Sequence, residues 1–530
     1  MKKKIKRIIN SPYFSAGMLT VFAVLTLVGA ILHEPRLDET QAWCLVRDND
    51  IGGIYAALQY EGHPPLWYMV LFPFVKAGLP PEVLPFISWA FTFASACLVV
   101  KKAPFGNITK LLILLSGGFI YHIAVTSRIY CVILLVLCLL TVLYPKRKEH
   151  PLLFGLLTGL LAMSHIIMCG LVGIIGIYML IDLFRDWRKN SIKKNLLNIG
   201  GVLIAGAGVV MLVLPLLYSL SANYYITDEP LTAGVFFERL TECFFCIGRN
   251  LVRLRQISSV DRLFGVFASV IIITALVMMR RYPKAVISFC VFSVFFFFAT
   301  QIIYPLILPS RVNLYVYVLM FIYWAAVSSG EPLSCDFRLN AEKVGDGWVK
   351  KLLVRLTEID KHYHRNITAV ICVLCLMSVP SGLIILYKDY RHRMTAAKAV
   401  TEYIRENIDL SDSVIVIDHR CSVYCAEMPG LKMYEPNFNR YITYDQLDLT
   451  EEQRFSNYQG PHEELRQYQH IYLLTEKRVF YVEKRSSTQI VTQNVIFETD
   501  YQDEYLDYYC HVELSELTPQ EIDYLCSDNR

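Results

Sequence analysis

Eleven long apolar runs constrain this chain more than any other feature of its 530 residues. A helix needs about 20 apolar residues to cross the hydrocarbon core of a bilayer, and each run comes close to that length. Apolar residues make up 54% of the chain and charged residues only 18%, which excludes an ordinary soluble globule. The pattern predicts an all-α membrane domain with eleven transmembrane helices, at 11–32, 83–100, 108–126, 129–144, 152–167, 169–184, 196–218, 263–280, 285–303, 312–329 and 367–387.

Basic residues predict how these helices are oriented. Lys and Arg crowd the N-terminal MKKKIKR and the segments PKRKEH (145–150), RDWRKNSIKK (185–194) and RRYPK (280–284). Such loops stay on the cytoplasmic side. Eleven crossings then place the loop 33–82 and everything after Lys388 outside. No small-residue cleavage site follows the first run, which favours a retained anchor over a signal peptide. We expect a multi-pass plasma-membrane protein with a cytoplasmic N-terminus.

The C-terminal part of the chain has a different pattern. Its apolar runs are short, and carboxylates outnumber Lys and Arg. VTEYIRENI (400–408) has helical spacing, whereas SVIVID (413–418) and HIYLLTE (470–476) are typical of buried strands. In LTPQEIDYL (517–525), Thr518 is placed to cap a helix that begins at Pro519. The chain therefore divides into a membrane domain, 1–388, and an extracytoplasmic α/β domain, 389–530.

Cysteine and tyrosine residues of this tail admit more than one interpretation. Cys421, Cys425, Cys510 and Cys526 have the chemistry for up to two disulfides outside the cell, but their spacing does not fix a pairing. HRCSVYC (419–425) offers His and Cys ligands for zinc without a second ligand pair. The many tyrosines either pack a small core or stack on sugars. We expect the tail to position or gate an acceptor and to carry no chemistry.

The first outer loop, 33–82, contains two polar motifs at the membrane surface. HEPRLDETQAW (33–43) carries Asp38 and Glu39, and YEGHPPLWY (60–68) carries Glu61 and His63. Asp38 alone would be explained as the N-cap of a short surface helix. Four titratable side chains in one loop instead indicate a candidate site, because carboxylates and imidazoles are the usual general acids and bases.

Three later motifs place polar residues at predicted outer helix ends. They are TSRIYCVILL (126–135) with Arg128 and Tyr130, LLAMSHIIMCG (160–170) with His165, and PSRVNLYVYVL (309–319) with Arg311. A cation at membrane depth usually has an anionic partner or reaches the interface. The alternatives are an arginine that extends to lipid headgroups and a histidine that packs in the core.

Taken together, LDETQAW, EGHPPLWY, the R-x-Y at 128–130, the buried His165 and the P-S-R at 309–311 resemble the protein mannosyltransferase-like, GT-C-fold glycosyltransferases of bacteria. The resemblance covers roughly residues 15–330, and eleven spans with an outer C-terminal domain match that architecture. It implies inverting transfer of a sugar from a polyprenyl-phosphate donor at the extracytoplasmic face. The chain departs from the family pattern at PFISWAFTFASAC (85–97), which has no Arg near its outer start.

The resemblance also implies roles for individual residues. Asp38 is the candidate general base that takes the acceptor's proton, and Glu39 is expected to position the acceptor or orient its neighbour. A guanidinium at the departing phosphate would stabilise charge that grows in the transition state. Glu61 and His63 have the chemistry to hold a divalent metal ion beside that phosphate. The residues expected to bind the donor are Arg128, Arg311, Glu61, His63, Tyr130 and His165.

Three other function classes fit part of the pattern. A polysaccharide polymerase or ligase shares the substrate class but concentrates polar residues in a late loop. A transporter or flippase needs charges or Gly/Pro breaks at mid-bilayer. A non-catalytic scaffold for wall polymer needs neither charges nor Gly/Pro breaks at mid-bilayer. The chain has no nucleotide-binding fingerprint. The resemblance implies a polyprenyl-phosphate sugar, a lipid, protein or wall-polymer acceptor and membrane lipids as partners, and we expect no nucleic acid.

Overall fold

A computed structural model shows a mainly helical chain with one small sheet near its C-terminal end. Nothing is described for Cys421, Cys425 and the HRCSVYC segment, so the disulfide and zinc hypotheses lie outside the described residues. The structure describes residues 7–9, 11–35, 37–61, 63–221, 232–252, 258–303, 309–330, 347, 362–391, 395–417, 433–435, 440–442, 463–478, 494–502 and 509–526.

Long apolar helices dominate the described residues up to 391. Eight of them are long and apolar enough to cross a membrane, and Leu66–Lys76, Tyr130–Lys146 and Pro151–Ala162 are shorter apolar helices. The prediction of a polytopic all-α membrane domain is confirmed. The helices are α1 Pro12–Leu32, α2 Leu37–Asp48, α3 Ile51–Glu61, α4 Leu66–Lys76, α5 Leu84–Lys102, α6 Asn107–Leu115, α7 Tyr130–Leu143, α8 Pro151–Ala162, α9 Cys169–Asp186, α10 Ile192–Ser221, α11 Ala233–Val252, α12 Ser258–Met278, α13 Pro283–Phe297, α14 Pro309–Ser328 and α15 Tyr363–Arg391.

The apolar run 108–126 is not one continuous α-helix. Helix α6 ends at Leu115, and a π-helix follows at Gly118–His122. The hydroxyl oxygens of Ser116 and Tyr317 are 2.5 Å apart. A Cβ added to Gly117 would lie 2.7 Å from the carbonyl oxygen of Ser378 in α15. The break therefore lets α15 approach closely, a packing feature that hydropathy does not report.

Helices α8 and α10 pack against each other through glycines. A Cβ at Gly155 would collide with the backbone of Gly201, and one at Gly208 would collide with Gly159. A Cβ at Gly159 would lie 3.0 Å from the carbonyl oxygen of Ile204. Because lipid tails are as apolar as the helices, close backbone packing is what holds such a pair together.

The tail contains a six-stranded mixed sheet. Its strand order is β3-β2-β1-β4-β6-β5. Strand β1 pairs in parallel with β2 and β4, whereas the β2–β3, β4–β6 and β5–β6 pairs are antiparallel. The strands are β1 Ser413–Ile417, β2 Met433–Glu435, β3 Arg440–Ile442, β4 His470–Arg478, β5 Val495–Gln502 and β6 Tyr509–Glu516.

Both faces of this sheet are covered. Alternate residues of a strand point to opposite faces, and Ile415 packs with Val400 of helix α16 (Ala397–Asn407). Val416 packs on the other face with Leu465, beside helix α17 (Pro519–Cys526). The predicted helix and two predicted strands are present, and the prediction of an α/β tail is confirmed.

The start of helix α17 shows how local sequence fixes a boundary. The Glu521 backbone N–H donates to Thr518 Oγ1 at 3.4 Å, and the Thr518 backbone N–H donates to Glu521 Oε2 at 2.7 Å. Pro519 is the first helical residue. This reciprocal pair is a capping box, which satisfies two backbone donors at the helix start. Thr518 is the N-cap that the sequence predicts.

The chain divides into two compact units. One comprises 1–31, 58–67 and 86–386, and the other comprises 32–57, 68–85 and 387–530. The first outer loop is therefore shared between them: Glu39 belongs to the second unit, and His63 belongs to the first. The division into domains at 388 stays a prediction.

Candidate functional site

Three predicted residues come together at the starts of helices in the first unit. Arg311 lies in the first turn of α14 and is 5% exposed. Its Nε donates a hydrogen bond to Tyr130 Oη at 3.2 Å. Tyr130 begins α7, and its ring stacks on the imidazole of His165 with centroids 5.7 Å apart. These side chains, from motifs 35 to 181 residues apart, form what we term the arginine cluster.

Local backbone geometry fixes the orientation of His165. It is an extended residue that caps the 3-10 helix Ile166–Met168, which leads into α9. The Ile167 backbone N–H donates to His165 Nδ1 at 3.2 Å. Because Nδ1 accepts this bond, the proton of the neutral ring is assigned to Nε2. His165 therefore offers an N–H donor in addition to the guanidinium of Arg311.

The arginine cluster has the electrostatics of an anion site. Arg311, His63 and Arg128 are all within electrostatic range of the His165 ring. Helices α7, α9 and α14 also begin here, and helix N-termini carry partial positive charge with unsatisfied N–H groups. A phosphate is stabilised by such a combination of guanidinium, imidazole and helix starts.

The EGHPPLWY motif is tied to the same region. The Leu66 backbone N–H donates to the carbonyl oxygen of Met163 at 3.2 Å, two residues before His165. His63 is exposed, whereas Pro64 and Pro65 are buried. Trp67 is only 5% exposed, so it packs inside the protein. The motif thus holds an exposed imidazole near the arginine cluster.

Of the two proposed metal ligands, the structure describes the side chain of His63 only. The Glu61 side chain lies outside the described residues, although its backbone ends helix α3. No group of three His, Cys, Asp or Glu side chains with the arrangement of a metal site occurs among the residues that the structure describes. Metal binding by Glu61 and His63 stays a prediction.

The acidic pair of the first loop lies in helix α2. The helix begins at Leu37, so Asp38 belongs to its first turn and does not precede it as an N-cap. Nothing is described for the Asp38 side chain. Glu39 is fully buried, and its Oε2 is 3.0 Å from His33 Nε2. Glu39 is therefore engaged inside the protein, a position that suits orientation of its neighbour better than contact with an acceptor.

His33 links Glu39 to a residue that the sequence did not single out. Its Nδ1 is 2.9 Å from Asp389 Oδ2, so one buried imidazole lies between two carboxylates. Burial alone lowers the pKa of His33, but the charges of Glu39 and Asp389 and their hydrogen bonds raise it to about 10. His33 is consequently protonated at neutral pH and donates from both ring nitrogens. We call these three residues the buried ion triad.

Comparisons with solved structures give neighbours of low sequence identity. No protein-family model matches the chain, and no curated protein matches its sequence. The chain is similar to ArnT from Cupriavidus metallidurans in the apo state, with a TM-score of 0.49 at 13% identity over 94% of this chain and 98% of that one. For the same protein bound to undecaprenyl phosphate, the TM-score is 0.49 at 14% identity over 95% and 98%.

Proposed function

We propose that the chain is a glycosyltransferase that moves a sugar from a polyprenyl-phosphate-linked donor to an acceptor hydroxyl outside the cytoplasm. The observation that carries the proposal is the arginine cluster, in which Arg311, Tyr130 and His165 meet at the starts of helices. The glycosyltransferase resemblance of the loop motifs supports the same conclusion. Under this proposal the cluster binds the phosphate of the lipid donor.

The cluster would act on the leaving group. When the bond between the anomeric carbon and the phosphate oxygen breaks, negative charge grows on the polyprenyl phosphate. A guanidinium fixed beside that oxygen stabilises the transition state more than the ground state. The hydrogen bond from Arg311 to Tyr130 holds the guanidinium in place before the donor arrives, which reduces the reorganisation required during reaction. Arg128 would add positive potential at the same phosphate.

The acceptor side of the reaction is assigned to helix α2. In the proposed step, Asp38 takes the proton of the acceptor hydroxyl while the hydroxyl oxygen attacks the anomeric carbon. One base and a good leaving group suffice for a single displacement, which inverts the anomeric configuration. Glu39 would orient α2 through the buried ion triad and is treated as a positioning residue. Glu61 and His63 would hold a divalent ion at the phosphate if one takes part.

The proposed orientation follows the distribution of Lys and Arg. The N-terminus would face the cytoplasm of a plasma-membrane protein, and the first loop and the α/β tail would face outside. Lipid-linked donors supply the transfer potential there, because nucleotide sugars are confined to the cytoplasm. The tail would position the acceptor.

A deletion strain tests the proposal. It should accumulate a polyprenyl-phosphate sugar and lose one surface-glycan modification, both measured by mass spectrometry. Reintroduced wild-type protein should restore the modification, and Arg311→Gln should fail to do so at equal abundance. Arg188→Gln removes an equal charge at an exposed position of the chain and should restore it. Unchanged lipid-linked sugars and surface glycans in the deletion strain would contradict the proposal.

A further inference from the structure

Tyr317 of helix α14 contacts the break in the apolar run 108–126. Its side chain is fully buried, and its hydroxyl oxygen is 2.5 Å from Ser116 Oγ. The Phe119 backbone N–H donates to the same hydroxyl at 3.0 Å. Ser116 Oγ donates its hydrogen to the carbonyl oxygen of Ile113. The Tyr317 O–H is therefore the donor to Ser116, and its oxygen accepts from Phe119.

The Tyr317 hydroxyl satisfies a backbone group that the break leaves without a helical partner. Phe119 lies in the first turn of the π-helix Gly118–His122, where backbone donors have no acceptor within the helix. Inside a bilayer such a donor needs a protein partner, because no water is available there. Loss of the hydroxyl would therefore favour a different backbone arrangement at the break.

The break leads directly into the arginine cluster. Segment 116–130 runs from Ser116 to Tyr130, the first residue of α7. Helix α14 is attached to this segment at two points, by the hydrogen bond from Arg311 to Tyr130 and by the Tyr317 hydroxyl. Arg311 and Tyr317 are six residues apart in α14, which corresponds to a rise of about 9 Å and a turn of about 240°. Contacts that differ in both height and direction prevent α14 from sliding or rotating against the segment.

We propose that Tyr317 is a positioning residue for binding of the donor phosphate, because its hydroxyl holds segment 116–130 in register with α14 so that Tyr130 meets Arg311. The inference rests on the proposed function of the arginine cluster. Tyr317 would act through the guanidinium of Arg311, since its own hydroxyl is engaged at the break. A contact that only packed two helices would stabilise the fold and leave the guanidinium where it is.

Binding of undecaprenyl phosphate to the full-length protein in detergent, measured by native mass spectrometry, tests the proposal. Tyr317→Phe keeps the ring and its edge contact with Phe119. It should weaken binding about fivefold, the usual effect of losing one hydrogen bond. Tyr323→Phe is the matched control, because Tyr323 is fully buried in the same helix and its hydroxyl is 2.6 Å from His364 Nδ1. This control should bind like the wild type.

The Arg311→Gln background separates positioning from general stabilisation. If Tyr317 acts through the guanidinium, Tyr317→Phe should weaken binding no further once Arg311 is replaced. Ser116→Ala removes the acceptor of the Tyr317 O–H and keeps the ring, so it should weaken binding in the same Arg311-dependent way. A fivefold loss that persists in Arg311→Gln/Tyr317→Phe would overturn the proposal, as would wild-type binding in both Tyr317→Phe and Ser116→Ala.

Hydrogen exchange of segment 116–130 tests the contact without reference to a ligand. Tyr317→Phe should raise amide exchange in this segment at least about fivefold, and Tyr323→Phe should leave it unchanged. Unchanged exchange in Tyr317→Phe would overturn the proposal. Failure of the wild type to bind undecaprenyl phosphate would contradict the proposed function itself, whereas normal binding by both break variants of a protein that does bind it contradicts only the role of Tyr317.

Discussion

Arg311, in the first turn of α14, donates a hydrogen bond from Nε to the hydroxyl of Tyr130, the first residue of α7, at 3.2 Å. The bond holds a buried guanidinium in one orientation. Nε is then committed to the protein.

Arg311→Gln should reduce sugar transfer by about 10²- to 10³-fold, the usual effect of removing one group that stabilises a developing anion. The loss should appear in kcat with synthetic polyprenyl-phosphate sugar as donor. Arg311→Lys keeps the charge but loses the Nε donor to Tyr130, so its activity should fall between those of the wild type and Arg311→Gln.

Tyr130→Phe provides the control for orientation. It leaves the guanidinium charge and removes only the hydrogen-bond acceptor, so the expected loss is about tenfold or more, matching about 1.5 kcal/mol for a hydrogen bond to a charged group. Full activity in both Tyr130→Phe and Arg311→Gln would remove the arginine cluster from the mechanism.

The local sequence singled out the residues of the arginine cluster but not all members of the buried ion triad. Each arginine-cluster residue stands at the end of an apolar run, and polar residues at such ends attract attention individually. Asp389 stands 356 residues beyond His33, and neither lies in a motif that indicates the other. The pairing follows from tertiary packing, which local patterns do not encode. The sequence therefore identified Glu39 without identifying its partners.

The fold shows the same division between local and non-local information. Apolar length predicted the long spans, and the Thr518 cap and the buried strand β1 were predicted from short motifs. Strand β5 was not predicted, and in the structure it is held by antiparallel pairing with β6. The break after Leu115 depends on Tyr317 and on the close approach of α15, and neither is visible in the local sequence.

Asp38→Asn and Glu39→Gln should affect different properties. Asp38→Asn should reduce the rate of transfer, and Glu39→Gln should reduce stability. Asp38→Asn should lower kcat by about 10²- to 10⁴-fold with little change in unfolding temperature, as expected for a general base. Glu39→Gln removes one of two charges around a buried cation and should destabilise the protein by about 3 kcal/mol, while folded protein retains most of its kcat. Thermal unfolding and transfer rate, measured on the same preparations, separate the two effects.

The opposite result for unfolding temperature and transfer rate would reverse the roles of Asp38 and Glu39. An unchanged unfolding temperature with lost transfer in Glu39→Gln would make Glu39 the residue that contacts substrate. A Glu39→Asp variant adds a further check, because it keeps the charge and shortens the side chain. Partial recovery of stability in that variant is expected if the carboxylate acts through His33.

The buried ion triad should make stability fall as pH rises. The pKa of His33 is raised from 6.5 in the unfolded chain to about 10 in the folded protein, so the folded state binds the proton more tightly. The stabilising contribution is complete below pH 6.5, declines between pH 6.5 and 10, and is lost above pH 10. Unfolding temperatures measured at pH 6, 8 and 10 should decrease in that order.

His33→Gln tests whether His33 causes this decline. The variant should be less stable at pH 6 and should show a smaller decrease between pH 6 and 10 than the wild type. His150→Gln changes an exposed histidine and should keep the wild-type profile. An equally steep decline in His33→Gln would assign the pH dependence to other groups.

Glycine packing between α8 and α10 gives a matched pair of substitutions in one helix. A Cβ at Gly201 would collide with the carbonyl oxygen of Pro151, whereas a Cβ at Gly206 meets nothing within 4 Å. Alanine is favoured over glycine in a helix by about 1 kcal/mol, so Gly206→Ala should be neutral or stabilising. Gly201→Ala must separate two backbones and should destabilise by about 1 to 3 kcal/mol, the usual effect of overpacking. Thermal unfolding in detergent distinguishes them, and equal unfolding temperatures for the two variants would show that α8 and α10 are not held by this close contact.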